Sequence, residues 1–172
     1  YLRKNLLKMI EVERKMALNG DPARIVAKLN ALTDPAMIKA LYAASQAGVK
    51  IDLVVRGICC LKPGIASVSE NIRVVSIVGR FLEHSRAYYF LNNRHQVYCS
   101  SADWMERNLS NRIEVCFPIL KKKLANRILE EMESYLNDSN QAWELQTNGG
   151  YKPLDSSANG VQNLLLKKLA SA

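Results

Sequence analysis

Histidine is scarce in this chain, with only His84 and His95 among 172 residues. The four cysteines, at 59, 60, 99 and 116, never form a CxxC pair, so the spacing of a structural zinc site is missing. The adjacent Cys59 and Cys60 do not suit a disulfide framework, and a reducing, cytoplasmic compartment is the expectation. No apolar run reaches the roughly 18 residues that a membrane helix needs. The first residues lack the basic-then-apolar order of a signal peptide. There is no internal repeat, no low-complexity tract and no helix-turn-helix signature, and aromatics do not interleave with basic residues as in single-strand binders. These gaps count against a secreted, membrane-spanning, zinc-dependent or sequence-specific nucleic-acid-binding protein.

The chain is long enough for one domain with a real core, and 48% of it is apolar. A net charge of +8 favours polyanionic partners. Nucleotides, polyphosphate, nucleic acid and an anionic membrane surface all fit that sign, so peripheral membrane association stays open. The chain starts at Tyr1, inside a helical pattern, and reads as part of a longer protein.

Apolar residues at helical spacing over 2–18, closed by Asn19-Gly20, predict a helix. We read 1–20 as a connector from a preceding domain. Residues 24–30 alternate, with Ile25, Ala27 and Leu29 apolar and Arg24, Lys28 and Asn30 polar. This is a strand with one face for packing and one for chemistry at the strand end. Asp34 and Pro35 are an N-cap and a first helical residue, and Gly48 is a stop. A second strand over 49–56 completes a βαβ unit, hence parallel pairing and an α/β domain. Ligands gather beyond the carboxyl ends of such strands, which marks Arg56, and Gly57 would permit close backbone approach.

A third strand over 71–77 leads into Gly79–Phe90, which reads as extended. Alternation would put Arg80, His84 and Arg86 on one face. An imidazole between guanidiniums is pushed towards its neutral form unless an anion sits there, so the grouping suits a phosphate-bearing ligand. Next come a hairpin turning at Asn92-Asn93, residues chosen for positive φ, and Ser100-Ser101, whose hydroxyls suit phosphate oxygens. His95 is read as a solvated turn residue. Asp103 is assigned to a local pair with Arg107. A strand over 111–118 and a helix over 121–137 follow, and the lysines at 121–123 form a solvated face. Residues 138–160 are read as a surface segment anchored by Trp143 and Tyr151, and 160–172 as a short helix. We take 21–137 as the catalytic half-domain and 138–172 as its closing part.

Five runs, in order, resemble the last domain of bacterial polyphosphate kinase. They are Ala27–Pro35, Arg56–Gly64, Ser69–Val74, Gly79–Arg86 and Ser100–Trp104. The resemblance implies a phospholipase-D-like half-fold, a mixed sheet flanked by helices, with an N-terminal connector helix and C-terminal helices. It implies reversible transfer of the ATP terminal phosphate to polyphosphate through a phosphohistidine in the preceding domain, since this chain has no second His-x-Arg or His-x-Lys. His84 matches the family's second histidine, a nucleotide contact and acid–base partner. Arg56 matches a nucleotide-phosphate contact. We add Arg80, Arg86, Lys28, Asn30, Ser100 and Ser101 as candidate binding residues, and Glu114 as the acid that orients His84. In the wider superfamily the pattern is His-x-Lys with a later Asp. Here His84-x-Arg86 stands with no matching Asp, which counts against phosphodiesterase activity. Expected partners are ATP or ADP, inorganic polyphosphate, the preceding domains and a second copy of the full-length chain. Mg²⁺ is expected with ATP, on ligands outside this chain. The rival classes are a polyanion- or nucleic-acid-binding module and an assembly domain without catalytic residues.

Overall fold

A strand of branched apolar residues can be buried on both faces only if something covers both, and β1 (Arg24–Leu29) is buried along nearly its whole length. The computed structural model describes residues 1–138, 140–154 and 160–170, and shows how this is achieved. Eight strands form one mixed sheet. β2 (Lys50–Val55) lies parallel to β1, and β3 (Ile72–Ile77) lies parallel to β2. On the other side of β1, β4 (Arg86–Phe90) runs antiparallel. β5 (Val97–Ser100) and β6 (Cys116–Pro118) continue outward from it. β7 (Ala142–Leu145) and β8 (Tyr151–Pro153) extend the β3 edge, each antiparallel to its neighbour.

α1 (Leu2–Leu18) and α2 (Pro35–Gln46) cover one face, where Leu6, Ile10, Met37 and Leu41 meet Ile25, Leu29, Ile51, Leu53 and Tyr88. α4 (Lys122–Leu136) and α5 (Val161–Ala170) cover the other, where Met132, Leu136 and Val161 meet Val26, Val54, Val75 and Tyr89. α3 (Glu106–Ser110) is a single turn beside α1. No helix among the described residues is long and apolar enough to cross a membrane.

The βαβ unit forms as its residues require. Asp34 accepts from the amides of Ala36 and Met37 at 3.0 Å each, and Gly48 takes φ +97 past the end of α2. Several expectations are corrected. The polar face of β1 is covered along its body, because α4 lies over Arg24 and Lys28, and only its carboxyl end is left at the site. Residues 78–85 leave the sheet, and only from Arg86 is the chain a strand. The shared face of Arg80, His84 and Arg86 therefore does not exist. The strand expected over 111–118 is confined to Cys116–Pro118, because Val115 N is held by the Ser101 hydroxyl and Glu114 turns to Asn108. Much of the expected surface segment is β7 and β8, and Trp143 and Tyr151 stay partly exposed rather than acting as buried anchors. Residues 139 and 155–159 of that segment, and 171–172 at the end of the expected last helix, lie outside the described residues.

Residues 1–20, read as a connector, are docked by one buried acid. Glu13 is 0% exposed. It accepts from the amides of Asn92 (2.6 Å) and Arg24 (3.3 Å) and from the Asn92 carboxamide (2.8 Å). Asn92 and Asn93 do not take positive φ in the β4–β5 turn, and their use is to hold α1. Glu13→Ala leaves these donors unmatched. It is expected to lower the unfolding free energy by about 3 kcal/mol, measured by urea denaturation, with Glu13→Gln recovering part of the loss.

Candidate functional site

The carboxyl ends of β1, β2, β3 and β5 and the amino end of β4 meet at one edge of the sheet. Strand polarity alone therefore gathers Asn30, Arg56, the 78–85 segment and Ser100–Asp103. Gly57 allows the close approach expected of it, since a Cβ there would lie 2.8 Å from the Asn30 carbonyl oxygen. Arg56 follows β2, and its Nε donates to Asn30 Oδ1 at 3.0 Å. A cavity of about 400 Å³ opens here, lined by Arg56 and Ile77–Glu83. Arg80 is exposed, with its guanidinium 5.4 Å from the Phe81 ring centre. His84 follows directly, and its side chain is exposed. A larger cavity, about 630 Å³, lies against α1 and Leu109, away from this edge.

Two buried ion pairs underlie the site. Lys28, 3% exposed, meets Glu83 at 3.0 Å and donates to the Ser85 hydroxyl at 2.9 Å. Its Nζ also lies 4.9 Å from the centre of the Tyr135 ring. Burial pushes the Lys28 ammonium below its usual range, against the pull of Glu83. Burial alone would raise the Glu83 carboxyl, but the Gln162 amide and the Lys28 ammonium outweigh it and hold it below the carboxylate range. The second pair joins Arg86 to Asp103 at 2.9 Å. Asp103 also accepts from the amides of Asn30 (2.6 Å) and Ala31 (3.2 Å). Burial opposes its ionisation, yet Arg86 and the Asn30 amide keep its carboxyl below the usual value. Both pairs fasten the backbone beside His84. Its carbonyl accepts from Asn30 Nδ2 (3.3 Å) and Arg86 Nη1 (3.2 Å).

The candidates thus separate by what their charges and donors already touch. Arg56, Arg80 and His84 reach the open edge, and neither arginine has a carboxylate partner among the described residues. Lys28 and Arg86, expected on a ligand, are committed to buried carboxylates. Asn30 is a buried hub rather than an open contact, holding Arg56, His84 and Asp103. The Ser100 hydroxyl donates to the Val115 carbonyl at 3.0 Å, and the Ser101 hydroxyl donates to Glu114, so both hold the turn. Glu114 does not orient His84. Its oxygens are held by Ser101 and Asn108, which keep its carboxyl below the usual range. Asp103 pairs with Arg86, not Arg107. Antiparallel β4 and β5 bring them together by placing Arg86 opposite Ser100. Sequence reasoning missed Glu83 as Lys28's partner, though a lysine inside a doubly covered strand requires a counter-charge. It missed Gln162 entirely, since a glutamine in an amphipathic helix gives no signal.

Removing one charge strands the other. Lys28→Met is expected to cost about 3–5 kcal/mol, while Lys28→Met with Glu83→Leu recovers most of it in the same urea titration. Asp103 has a lowered folded-state pKa, so its stabilisation is fully present above the unfolded value, about 3.9, and is lost as pH falls through the folded value. Asp103→Asn is therefore expected to be less stable than wild type at neutral pH, with a flatter decline in urea midpoint below about pH 4.

The family model described as polyphosphate kinase C-terminal domain 2 matches residues 1–164. The polyphosphate kinase of Pseudomonas aeruginosa is 59% identical over 175 aligned positions, covering 99% of this chain and 25% of that protein. That of Synechocystis is 53% identical over 151, covering 87% and 21%. The crystal structure of polyphosphate kinase from Porphyromonas gingivalis matches with a TM-score of 0.92 at 38% identity, over 99% of this chain and 27% of that one. Nuc of Salmonella typhimurium, a phospholipase D family member, matches at TM-score 0.55 and 20% identity over 79% of this chain and 90% of its own, a likeness of fold alone. The chain spans about a quarter of the length of the curated relatives it matches. With the family model reaching from residue 1 to 164 and a relative 59% identical over 99% of this chain, the chain belongs to the polyphosphate kinase C-terminal domain 2 family.

Proposed function

We propose that this domain supplies the electrostatic half of a reversible phosphoryl transfer from ATP to inorganic polyphosphate, with the histidine that carries the phosphoryl group lying in a preceding domain. The observation that carries the reading is the split between paired and unpaired cations. Lys28 and Arg86 are neutralised from within, which leaves Arg56 and Arg80 lining the cavity at the open edge beside the exposed His84.

Phosphoryl transfer asks for an in-line nucleophile and for positive charge around the oxygens of the moving group. Arg56 and Arg80 would hold non-bridging phosphate oxygens, where planar guanidinium donors match phosphate geometry. His84 would give a proton to, or take one from, the reacting groups as the phosphohistidine forms and breaks. Arg86 with Asp103, and Lys28 with Glu83, would not touch substrate but would hold the backbone on which His84 sits. Among the described residues no group of three or more His, Cys, Asp or Glu could cage a metal ion. The residues here do not fit a resident Mg²⁺. The ion would enter on the nucleotide phosphates, and no step here runs through it. The full-length protein is proposed to act in the cytoplasm as a homo-oligomer, its preceding domains completing the site.

His84→Ala in the full-length enzyme is expected to cut kcat for polyphosphate synthesis by roughly 10²–10⁴-fold, with the fold intact by circular dichroism. Arg56→Ala is expected to raise KM for ATP, with Arg56→Lys intermediate. Wild-type turnover by His84→Ala would remove the assigned role. This chain by itself should bind tripolyphosphate without making polyphosphate, measured by calorimetry and by ³²P incorporation.

A further inference from the structure

We propose that Gln162, on the C-terminal helix α5, is a positioning residue that sets the segment bearing Arg80 and His84 in its working conformation. The inference rests on the role given to His84 above. The last sheet-like bond along this segment is Val78 N to the Gln141 carbonyl, at 3.0 Å. Beyond it the chain leaves β3 and has no strand to pair with until Arg86. Backbone groups in such a stretch need partners from elsewhere.

Gln162 supplies them. Its Oε1 accepts from Phe81 N at 2.9 Å and its Nε2 donates to Phe81 O at 2.8 Å, so one carboxamide takes both backbone groups of one residue. The amide thereby acts as a missing rung of the sheet. The same Nε2 donates to Glu83 Oε1 at 2.8 Å. Gln162 thus grips the residues directly after Arg80 and directly before His84, and it is 4% exposed.

Its own position is set firmly. The first amide of α5, Val161 N, donates to buried Asp138 at 2.8 Å, and Val161 packs beneath the sheet. Gly79 leaves the space the carboxamide needs, since a Cβ there would lie 2.5 Å from Gln162 Oε1 and 2.6 Å from Gln141 Nε2. Arg56 is held differently, by Asn30 just past the end of β1, and makes no side-chain hydrogen bond to α5 among the described residues. Loosening Gln162 should therefore disturb the transfer step, in which Arg80 and His84 act, more than ground-state nucleotide binding through Arg56.

Two variants of the full-length enzyme test this. Gln162→Met keeps the volume and removes all three bonds. It is expected to lower kcat by roughly tenfold while KM for ATP stays within about twofold. Gln162→Glu keeps the shape but, when ionised, cannot donate and faces the Glu83 carboxylate. Its new carboxyl is raised by burial and like charge, and its protonated form can donate to Glu83 again. Its kcat relative to wild type should therefore climb as the assay is taken from about pH 8 to about pH 6. Wild-type kcat in both variants, with His84→Ala inactive, overturns the positioning role and leaves the function standing. A fall in kcat with a pH-independent ratio for Gln162→Glu also overturns it, by reducing Gln162 to general packing. Full activity in His84→Ala overturns the function itself, and the positioning role with it.

Discussion

A lysine ammonium inside a sheet covered on both faces is tolerable only with a carboxylate against it, and the Lys28–Glu83 pair ties this structure together around that requirement. Lys28 belongs to central β1, while Glu83 belongs to a segment with no secondary structure of its own. The demand of the buried charge thus becomes a tether on the segment that carries His84. Tyr135 from α4 and Gln162 from α5 close around the same pair, so the helices on that face are coupled to the site as well as to the core. Desolvation of the two ions offsets much of their attraction, so the pair adds little net stability over an apolar pair of the same volume, while losing one member strands the other.

The Arg86–Asp103 pair does the same work from the other side. Asp103 reaches the end of β1 through the amides of Asn30 and Ala31, and Arg86 reaches the His84 carbonyl. Charge at this edge is consequently sorted. The cations that position the chain are spent on buried acids, and those left lining the cavity at the open edge are Arg56 and Arg80. A count of basic residues near the histidine could not make that distinction. Water would screen all of them alike in an open chain, and only burial decides which charge must be matched internally.

Local chemistry was legible where it acts over a few residues. Asp34-Pro35, Gly48 and the parallel strands on either side of α2 follow from capping, left-handed backbone preference and connection length. The position of Arg56 follows from strand polarity. Reading failed where partners lie far apart in sequence. Asn92 and Asn93 resemble a tight-turn pair but serve Glu13, 79 residues away from Asn92. Asp103 looks like the helical partner of Arg107, but strand register hands it to Arg86. Glu114, Ser100 and Ser101 carry suitable groups for a ligand, yet they are spent on closing the two ends of the connection that joins β5 to β6.

Residue type, order and short-range geometry suffice for the βαβ unit and the family resemblance, and they name Arg56, Arg80 and His84 only within a larger set of candidates that includes Lys28 and Arg86. The tertiary structure alone decided that residues 78–85 are a tethered segment rather than a strand. It also decided that Lys28 and Arg86 point to buried acids and that a glutamine from the last helix completes the hold on Phe81 and Glu83. Those outcomes depend on which strands pair and which helix covers which face. Such choices are made by burial summed over the whole domain, and no window of neighbouring residues contains them.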